Sequence, residues 1–188
     1  MTVDKSFRLE TPRLVLRDLV ESDWPLVFAL SSEPLVARYQ TWLRHKDEEQ
    51  ARRWLRELLR ESNQRRPRKA FNLAVALKPD LSAIGWLGFG DDHPAKVEVD
   101  FGYALLPVVW GRGYMTEAVE AMIEFAFGSL AADSVHAHCA ETNRASARVL
   151  EKAGLVLVER RQQTDDDLGI VEEHLYYRLE RSDWQRLR

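Results

Sequence analysis

The sequence predicts an α/β protein with a mixed, largely antiparallel sheet of about seven strands and about four helices. Short segments of alternating apolar and polar residues, typical of strands, are separated by turn-forming Gly, Pro and Asp residues. Two longer segments carry apolar residues at helical spacing. Because no linker rich in Pro, Gly or Ser is long enough to separate two units, we expect residues 1–188 to form one domain.

The first half begins with a half-buried strand at Arg13–Asp18, where apolar and polar residues alternate. Ser22 or Asp23 can then cap a short helix that has Pro25 in its first turn. Asp47 opens a longer helix, whose apolar residues recur at helical spacing at Ala51, Trp54, Leu55, Leu58 and Leu59.

The second half begins with a meander of three strands, at Phe71–Leu77, Ser82–Phe89 and Val97–Leu105. The clearest helix follows, and Gly128 is predicted to stand just beyond its end. Its apolar positions are Met115, Ala118, Val119, Met122, Ile123 and Ala126. The remaining segments are predicted to be a strand at Ser134–Cys139, a helix at Asn143–Ala153 closed by Gly154, and strands at Leu155–Arg161 and Ile170–Leu179.

The charge balance argues against a dedicated nucleic-acid-binding protein, because the net charge is −3. Residues 44–69 nevertheless hold ten Lys or Arg against five Asp or Glu. This basic stretch suits either a solvated helix and loop or a docking face for an acidic partner. The chain has one cysteine and no apolar signal or membrane segment at its N-terminus, so we expect a cytoplasmic protein.

A turn that could bind phosphate follows the third strand of the meander. Gly111 and Gly113 lie between that strand, which Pro107 helps to end, and the strongest helix. Free N–H groups at a helix start attract phosphate, and glycine lets the backbone approach it closely. An ordinary strand-turn-helix connection would use the same residues. A Rossmann fingerprint lacks its third Gly here, and a P-loop lacks its Gly-Lys-Ser/Thr.

Four blocks together resemble the GNAT N-acyltransferases, particularly the RimJ/RimL-like branch of ribosomal-protein N-terminal acetyltransferases. Residues 102–118 (GYALLPVVWGRGYMTEA) are similar to that branch's coenzyme A pyrophosphate loop. Residues 9–17 (LETPRLVLR) resemble its opening strand, and residues 143–154 (NRASARVLEKAG) its second cofactor segment. Residues 174–179 (HLYYRL) resemble its last strand, so the likeness spans nearly the whole chain.

The resemblance implies an enzyme with a GNAT-like domain that transfers the acetyl group of acetyl-coenzyme A to a primary amine, by direct attack on the thioester. Trp110 and Met115 depart from the wider superfamily but are acceptable in the RimJ/RimL-like branch. The resemblance assigns the cofactor to Leu105, Val108, Val109, Trp110, Gly111, Arg112, Gly113, Tyr114, Met115, Thr116, Asn143, Ser146 and Arg148.

Ser146 is the first catalytic candidate, because acetyl transfer requires stabilisation of the departing thiolate. By pattern alone, Asn143 and Ser146 also suit an N-cap and a residue of the following helical turn. The resemblance puts Ser146 near the sulfur. Many superfamily members carry a proton-donating tyrosine where this chain has Leu150, so Ser146 is expected to take that role directly or through water.

Two carboxylates are candidates for the base that accepts the amine proton, directly or through water. Asp100 shares a strand face with Glu98 and matches a position that is often Glu in the RimJ/RimL-like branch. Glu141 follows the next strand. Each carboxylate also suits a structural role.

No metal site is expected, because His136 and His138 share a strand face without a matching Cys or His pair elsewhere. Cys139 is interpreted as a small buried hydrophobe. Two other functions stay open: a coenzyme A sensor without turnover, and an RNA- or ribosome-associated adaptor.

The acceptor is open between a protein N-terminus and a small amine. Three segments are expected to select it: residues 39–42, 91–96 and 162–169. A homodimer is compatible with the sequence.

Overall fold

Eight strands form a mixed sheet in the computed structural model, which describes residues 7–40, 44–62, 68–91, 97–165 and 170–186. Their order is β1-β2-β3-β4-β5-β6-β8-β7, and every neighbouring pair is antiparallel except β5 with β6. The strands are β1 (Arg8–Glu10), β2 (Leu14–Asp18), β3 (Ala70–Leu77), β4 (Ala83–Asp91), β5 (Glu98–Leu105), β6 (Ser134–Ala140), β7 (Val156–Asp165) and β8 (Ile170–Glu180).

Helices cover both faces of this sheet. The longest described helix, α4, carries the chain from β5 to β6, because parallel neighbours need such a crossover. The helices in the described part of the chain are α1 (Trp24–Ser32), α2 (Pro34–Ala37), α3 (Glu48–Glu61), α4 (Tyr114–Gly128), α5 (Arg144–Lys152) and α6 (Arg181–Arg186). Four of these have nine residues or more, in agreement with the prediction.

The protein has two apolar layers, one on each face of the sheet. On one face α4 and α5 bury residues such as Val119 and Leu150 against Leu73 of β3. On the other face Leu30 of α1 and Leu55 of α3 pack over the central strands. Because successive residues of a strand point to opposite faces, each central strand contributes to both layers.

The predicted fold class is confirmed, and the sheet gains one strand at its edge. β1 pairs with β2 through Leu9 and Leu16, whereas the prediction started the sheet at Arg13. A strand of three residues is too short to show an alternating pattern. Gly154 follows α5 with a left-handed φ of +89°, as predicted, but Gly128 is the last residue of α4 instead of lying beyond it.

The predicted helix starts are partly confirmed. Asp47 caps α3, since its carboxylate accepts a hydrogen bond of 2.8 Å from the Gln50 amide. Asp23 stands before α1, but its carboxylate binds the Arg17 guanidinium at 2.7 Å and the Val20 amide at 2.9 Å instead of capping the helix. The ion pair is the stronger interaction, because it joins two charged groups.

Candidate active site

A cleft opens where the parallel strands β5 and β6 separate. The two strands pair only at Glu98–Asp100 of β5 and Ser134–His136 of β6. Farther along, β5 stays on β4 as far as Leu105, and β6 stays on β8 as far as Ala140. The separation leaves a strand edge on each side of the gap, where an extended ligand can pair with backbone groups.

The loop between β5 and α4 forms one wall of this cleft. Gly111 and Gly113 have φ values of +75° and +76°, in the left-handed region that favours glycine. The Trp110 indole N–H donates a hydrogen bond of 2.8 Å to the Leu105 carbonyl, which ties the loop back to the strand. No side chain caps α4 at Gly113, so the N–H groups of its first turn can bind an anion.

An ion pair from the start of β2 holds the same loop. The Arg13 Nε lies 2.6 Å from Glu117 Oε2, and Arg13 Nη1 donates a hydrogen bond of 3.0 Å to the Arg112 carbonyl. The guanidinium also lies 4.7 Å from the centre of the Tyr114 ring. Burial alone would raise the pKa of the Glu117 carboxyl, but hydrogen bonds from Thr11 and Arg13 bring it below its ordinary value.

Two hydroxyl groups meet at the start of α5, on the other side of the cleft. Asn143 caps this helix, because its Oδ1 accepts a hydrogen bond of 3.1 Å from the Ser146 amide. The Ser146 Oγ lies 2.9 Å from the hydroxyl of Tyr103 on β5. Burial raises the pKa of the Tyr103 phenol, and the hydrogen bond with Ser146 opposes this only in part. Sequence reasoning gave Tyr103 no role.

The cleft has a volume of about 650 Å³ and brings together most of the predicted cofactor residues. Those that line it are Leu105, Val109, Trp110, Gly111, Gly113, Tyr114, Met115, Thr116, Asn143, Ser146 and Arg148. Val108 and Arg112 are not among the lining residues; Val108 is 74% exposed, and the Arg112 carbonyl accepts the bond from Arg13.

Residues that sequence reasoning missed also line the cleft. Helix α2 and the turn after it contribute Leu35, Val36, Tyr39 and Gln40, and the Gln40 amide donates a hydrogen bond of 3.0 Å to the Tyr103 carbonyl. Tyr39 falls within a segment that was expected to select the acceptor. Gln40 belongs to the same segment, whereas Leu35 and Val36 of α2 carried no prediction.

The two candidate bases lie outside the described lining of the cleft. Asp100 is exposed and sits opposite His136, in the part of β5 that still pairs with β6. The Glu141 carboxylate lies 2.8 Å from the Arg160 guanidinium, which also binds Glu173 at 2.6 Å. The structure therefore places Ser146 in the same cleft as the loop between β5 and α4, but it places neither carboxylate there.

The two histidines of β6 contact neighbouring side chains, and the cysteine of β6 is buried. His136 shares a hydrogen bond of 2.8 Å with Ser134, and the His138 ring stacks on Tyr176. Within the described residues no group of three or more His, Cys, Asp or Glu side chains could hold a metal ion. Cys139 is buried, as predicted, and burial raises its thiol pKa to about 11.

Much of the predicted acceptor-selecting surface lies outside the described residues. The structure does not describe residues 41–43, 92–96 and 166–169, which include parts of all three acceptor-selecting segments. Residues 63–67 of the basic stretch also lie outside the described residues. None of the helices in the described part of the chain has the length and apolar character needed to cross a membrane.

A split sheet beside a glycine-bearing loop and an uncapped helix start is the arrangement that the resemblance to coenzyme A-dependent acyltransferases implied. The family model described as "Acetyltransferase (GNAT) domain" matches residues 13–156. The chain therefore belongs to the GNAT acetyltransferase family. It is an acetyl-coenzyme A-dependent N-acetyltransferase, as the resemblance implied, and acetyl-coenzyme A is its co-substrate.

Similar proteins agree with this assignment. The chain is 26% identical over 146 residues to the uncharacterized N-acetyltransferase YoaA of Bacillus subtilis, which covers 78% of this chain and 81% of the relative. A GNAT-family acetyltransferase from Bacillus anthracis has the same fold, with a TM-score of 0.80 at 22% identity, over 94% of this chain and 99% of that one.

The fold is also that of RimL, the ribosomal L7/L12 alpha-N-protein acetyltransferase, solved in complex with coenzyme A. The TM-score is 0.79 at 18% identity, over 93% of this chain and 98% of RimL. The predicted likeness to RimJ/RimL-like acetyltransferases thus extends to the fold.

Proposed function

We propose that this N-acetyltransferase acts on the α-amine of a peptide or protein N-terminus, and that this amine attacks the thioester directly. One observation carries the proposal that the thioester is attacked in this cleft: the uncapped start of α4 and Ser146 line it together. An anion-binding helix start and a hydroxyl are the groups that a phosphate-bearing thioester would require.

The residues of the cleft suit the chemistry of coenzyme A. A side chain at Gly111 or Gly113 would strain a left-handed backbone, and its absence lets phosphate approach the N–H groups. Cationic side chains of α5, Arg148 among them, line the cleft and can attract the phosphates. The gap between β5 and β6 accepts an extended pantetheine arm, which would pair with the strand edge near Leu105.

Ser146 would donate a hydrogen bond to the sulfur as negative charge develops on it. Such a donor accelerates the reaction because the bond is stronger in the transition state than before it. Asp100 and Glu141 remain proposed bases, and either would act through an ordered water because neither carboxylate lines the cleft.

The choice of an α-amine rests on proton chemistry and on similarity. An α-amine has a pKa of about 7.7–8.0 and a lysine side chain about 10.4, so far more of the α-amine is neutral near pH 7. RimL, which shares the fold, is named for transfer to a protein α-amine. A small amine is the alternative acceptor.

The direct test compares acceptors side by side, with release of free thiol from acetyl-coenzyme A as the readout. The acceptors are a peptide with a free N-terminus, its N-blocked analogue with one lysine, and a polyamine. We expect the free N-terminus to give the highest kcat/KM near pH 7. Preference for the polyamine or the blocked peptide would overturn the α-amine assignment and leave acetyl transfer standing.

Leu150 is fully buried and offers no proton donor, so the result that would contradict the proposed transfer is the behaviour of a coenzyme A sensor without turnover. Such a protein would show a higher melting temperature with coenzyme A and release no thiol with any of the three acceptors.

A further inference from the structure

We propose that Tyr103 is a positioning residue that directs the Ser146 hydroxyl toward the sulfur of coenzyme A. The inference rests on the proposed role of Ser146 as the donor to the thiolate. Many superfamily members carry a tyrosine on the helix that corresponds to α5, at the position of Leu150. The hydroxyl of that tyrosine is absent from this chain. The structure brings a phenol to this region from another element, the strand β5.

Tyr103 reaches α5 from the part of β5 that has separated from β6. Its backbone is held on one side by pairing with Leu87 of β4 and on the other by the Gln40 side chain, at 3.0 Å from its carbonyl. Its hydroxyl lies 2.9 Å from Ser146 Oγ and 3.1 Å from the Ser146 carbonyl. The phenol thus bridges the strand and the helix at the candidate catalytic serine.

The protons of these groups allow two arrangements. Tyr103 and Ser146 each have one hydroxyl proton, while the Ser146 carbonyl can only accept. If Tyr103 donates to the carbonyl, its oxygen can accept the Ser146 proton, and that proton is then turned away from the cleft. If Tyr103 donates to Ser146 Oγ, the Ser146 proton is free to point into the cleft.

Negative charge on a nearby sulfur favours the second arrangement. In a chain of hydrogen bonds each donor strengthens the next, so Tyr103 would make Ser146 a better donor to the thiolate. Burial raises the pKa of the phenol, so Tyr103 stays protonated and can donate its hydrogen bond to Ser146 Oγ in the second arrangement. No bond to Tyr103 forms or breaks in this role.

Cys139 does not replace Tyr103 in this arrangement. Its thiol is also close enough to Ser146 to share a hydrogen bond, but a thiol is a weak donor. With its pKa raised to about 11 by burial, it remains neutral and contributes little to the orientation of the serine.

The first test is a double-mutant cycle with Tyr103→Phe and Ser146→Ala. The phenylalanine keeps the ring and removes only the hydroxyl, so we expect kcat to fall about tenfold with coenzyme A affinity unchanged within about twofold. Because Tyr103 acts through Ser146, the double variant should be no slower than Ser146→Ala alone. An unchanged kcat in Tyr103→Phe, or additive losses in the double variant, would overturn the proposal.

Tyr177→Phe is the matched control. The Tyr177 hydroxyl is also a buried donor, at 3.2 Å from Glu151 Oε1, and it does not line the cleft. Its loss should lower the melting temperature about as much as the loss of the Tyr103 hydroxyl does, and leave kcat within about twofold. An equal fall of kcat in both variants would mean that Tyr103 has only a structural role.

The second test needs no acceptor, so it separates this proposal from the proposed function. The thiol of bound coenzyme A is titrated through the ultraviolet absorbance of its thiolate, in the wild type and in Tyr103→Phe. We expect the pKa of the bound thiol to be about one unit lower in the wild type than in Tyr103→Phe. One pKa unit is a factor of about ten, which equals the fall in kcat expected in the first test. Identical titrations would overturn the role of Tyr103. If the thiol titrates as expected but no amine is acetylated, the proposed function fails and the positioning role stands.

Discussion

Gly113 has a φ of +76° and stands immediately before the first residue of α4. A Cβ atom placed on it would meet the Arg13 guanidinium at 3.6 Å, which is ordinary van der Waals contact. Space alone therefore does not require glycine here. The left-handed backbone favours glycine here, and so would the approach of a phosphate to the adjacent N–H groups that we propose.

We expect Gly113→Asp to weaken coenzyme A binding by at least about a hundredfold, because it places a carboxylate beside the pyrophosphate. Gly113→Asn is the matched control, since Asn has nearly the same size and also tolerates the left-handed region. Titration calorimetry with coenzyme A measures both variants. Equal affinity of wild type and Gly113→Asp would show that the pyrophosphate does not bind at this loop.

At Ser146 the expected effect is on turnover and not on affinity. Ser146→Ala should lower kcat about a hundredfold while the coenzyme A affinity stays within a few-fold, because the lost hydrogen bond matters mainly as the thiolate forms. Steady-state kinetics with calorimetry distinguishes the two quantities. A kcat close to that of the wild type would assign thiolate stabilisation to water instead.

Among the elements, the contact between the start of β2 and α4 has the clearest link to function. Arg13, just before β2, binds both Glu117 of α4 and the carbonyl of Arg112 in the loop between β5 and α4. Two blocks of the family-like sequence, residues 9–17 and 102–118, are thereby joined through one ion pair. The loop conformation thus depends on a strand that contributes no residue to the described lining of the cleft.

We expect Glu117→Gln to destabilise the protein by about 1–2 kcal/mol at pH 7, because the ion pair is partly buried. The folded-state pKa of Glu117 is lower than its ordinary value of 4.5. Its contribution is therefore fully present above pH 4.5 and is lost as the pH falls through the lowered pKa. Denaturant unfolding of both proteins at several pH values measures this difference.

The same variant should bind coenzyme A more weakly at pH 7, because the loop loses part of its support. A stability difference between wild type and Glu117→Gln that grew as the pH fell below 4.5 would contradict the assigned role of the carboxylate.

For the whole molecule, the uneven charge bears on the choice of acceptor. The basic stretch includes α3. Its Arg52 Nη2 lies 3.8 Å from Glu48 Oε2, and the Arg52 guanidinium stacks 3.4 Å from the centre of the Trp24 ring. Arg53 similarly lies 3.8 Å from Glu49. The two glutamates offset part of the positive charge locally, as expected for a solvated helix face, while Arg56 and Arg60 add charge to the same exposed face of α3.

If α3 docks an acidic protein, reversal of Arg52, Arg56 and Arg60 to Glu should lower kcat/KM for that acceptor about tenfold at low salt and spare small amines. The loss should shrink as salt is added, because exposed charges are screened. Reversal of Arg56 and Arg60 alone is the control that keeps the Trp24 stack intact. Equal rates for wild type and both variants with every acceptor would identify α3 as a solvated helix.

Local sequence was enough to predict the parts of this protein that depend on neighbouring residues. Strand and helix periodicities, the Asp47 cap and the glycine turn after β5 are local properties, so most elements were predictable. The residues that the resemblance assigns to the cofactor stay a prediction, and most of them line one cleft. The four blocks that resemble the GNAT family predicted the class of reaction. β1 was missed because three residues carry no period.

Contacts between residues far apart in the sequence could be seen only in the folded chain. Tyr103 and Ser146 are 43 residues apart and Arg13 and Glu117 are 104 apart, and no local pattern connects either pair. Their contacts exist because β5 leaves β6 after Asp100 and because α4 and α5 pack on the same face of the sheet. The order of the strands and the packing of the helices determine which distant residues meet, so these contacts form only when the whole sheet forms. Local sequence determines the direction of a side chain but not its partner.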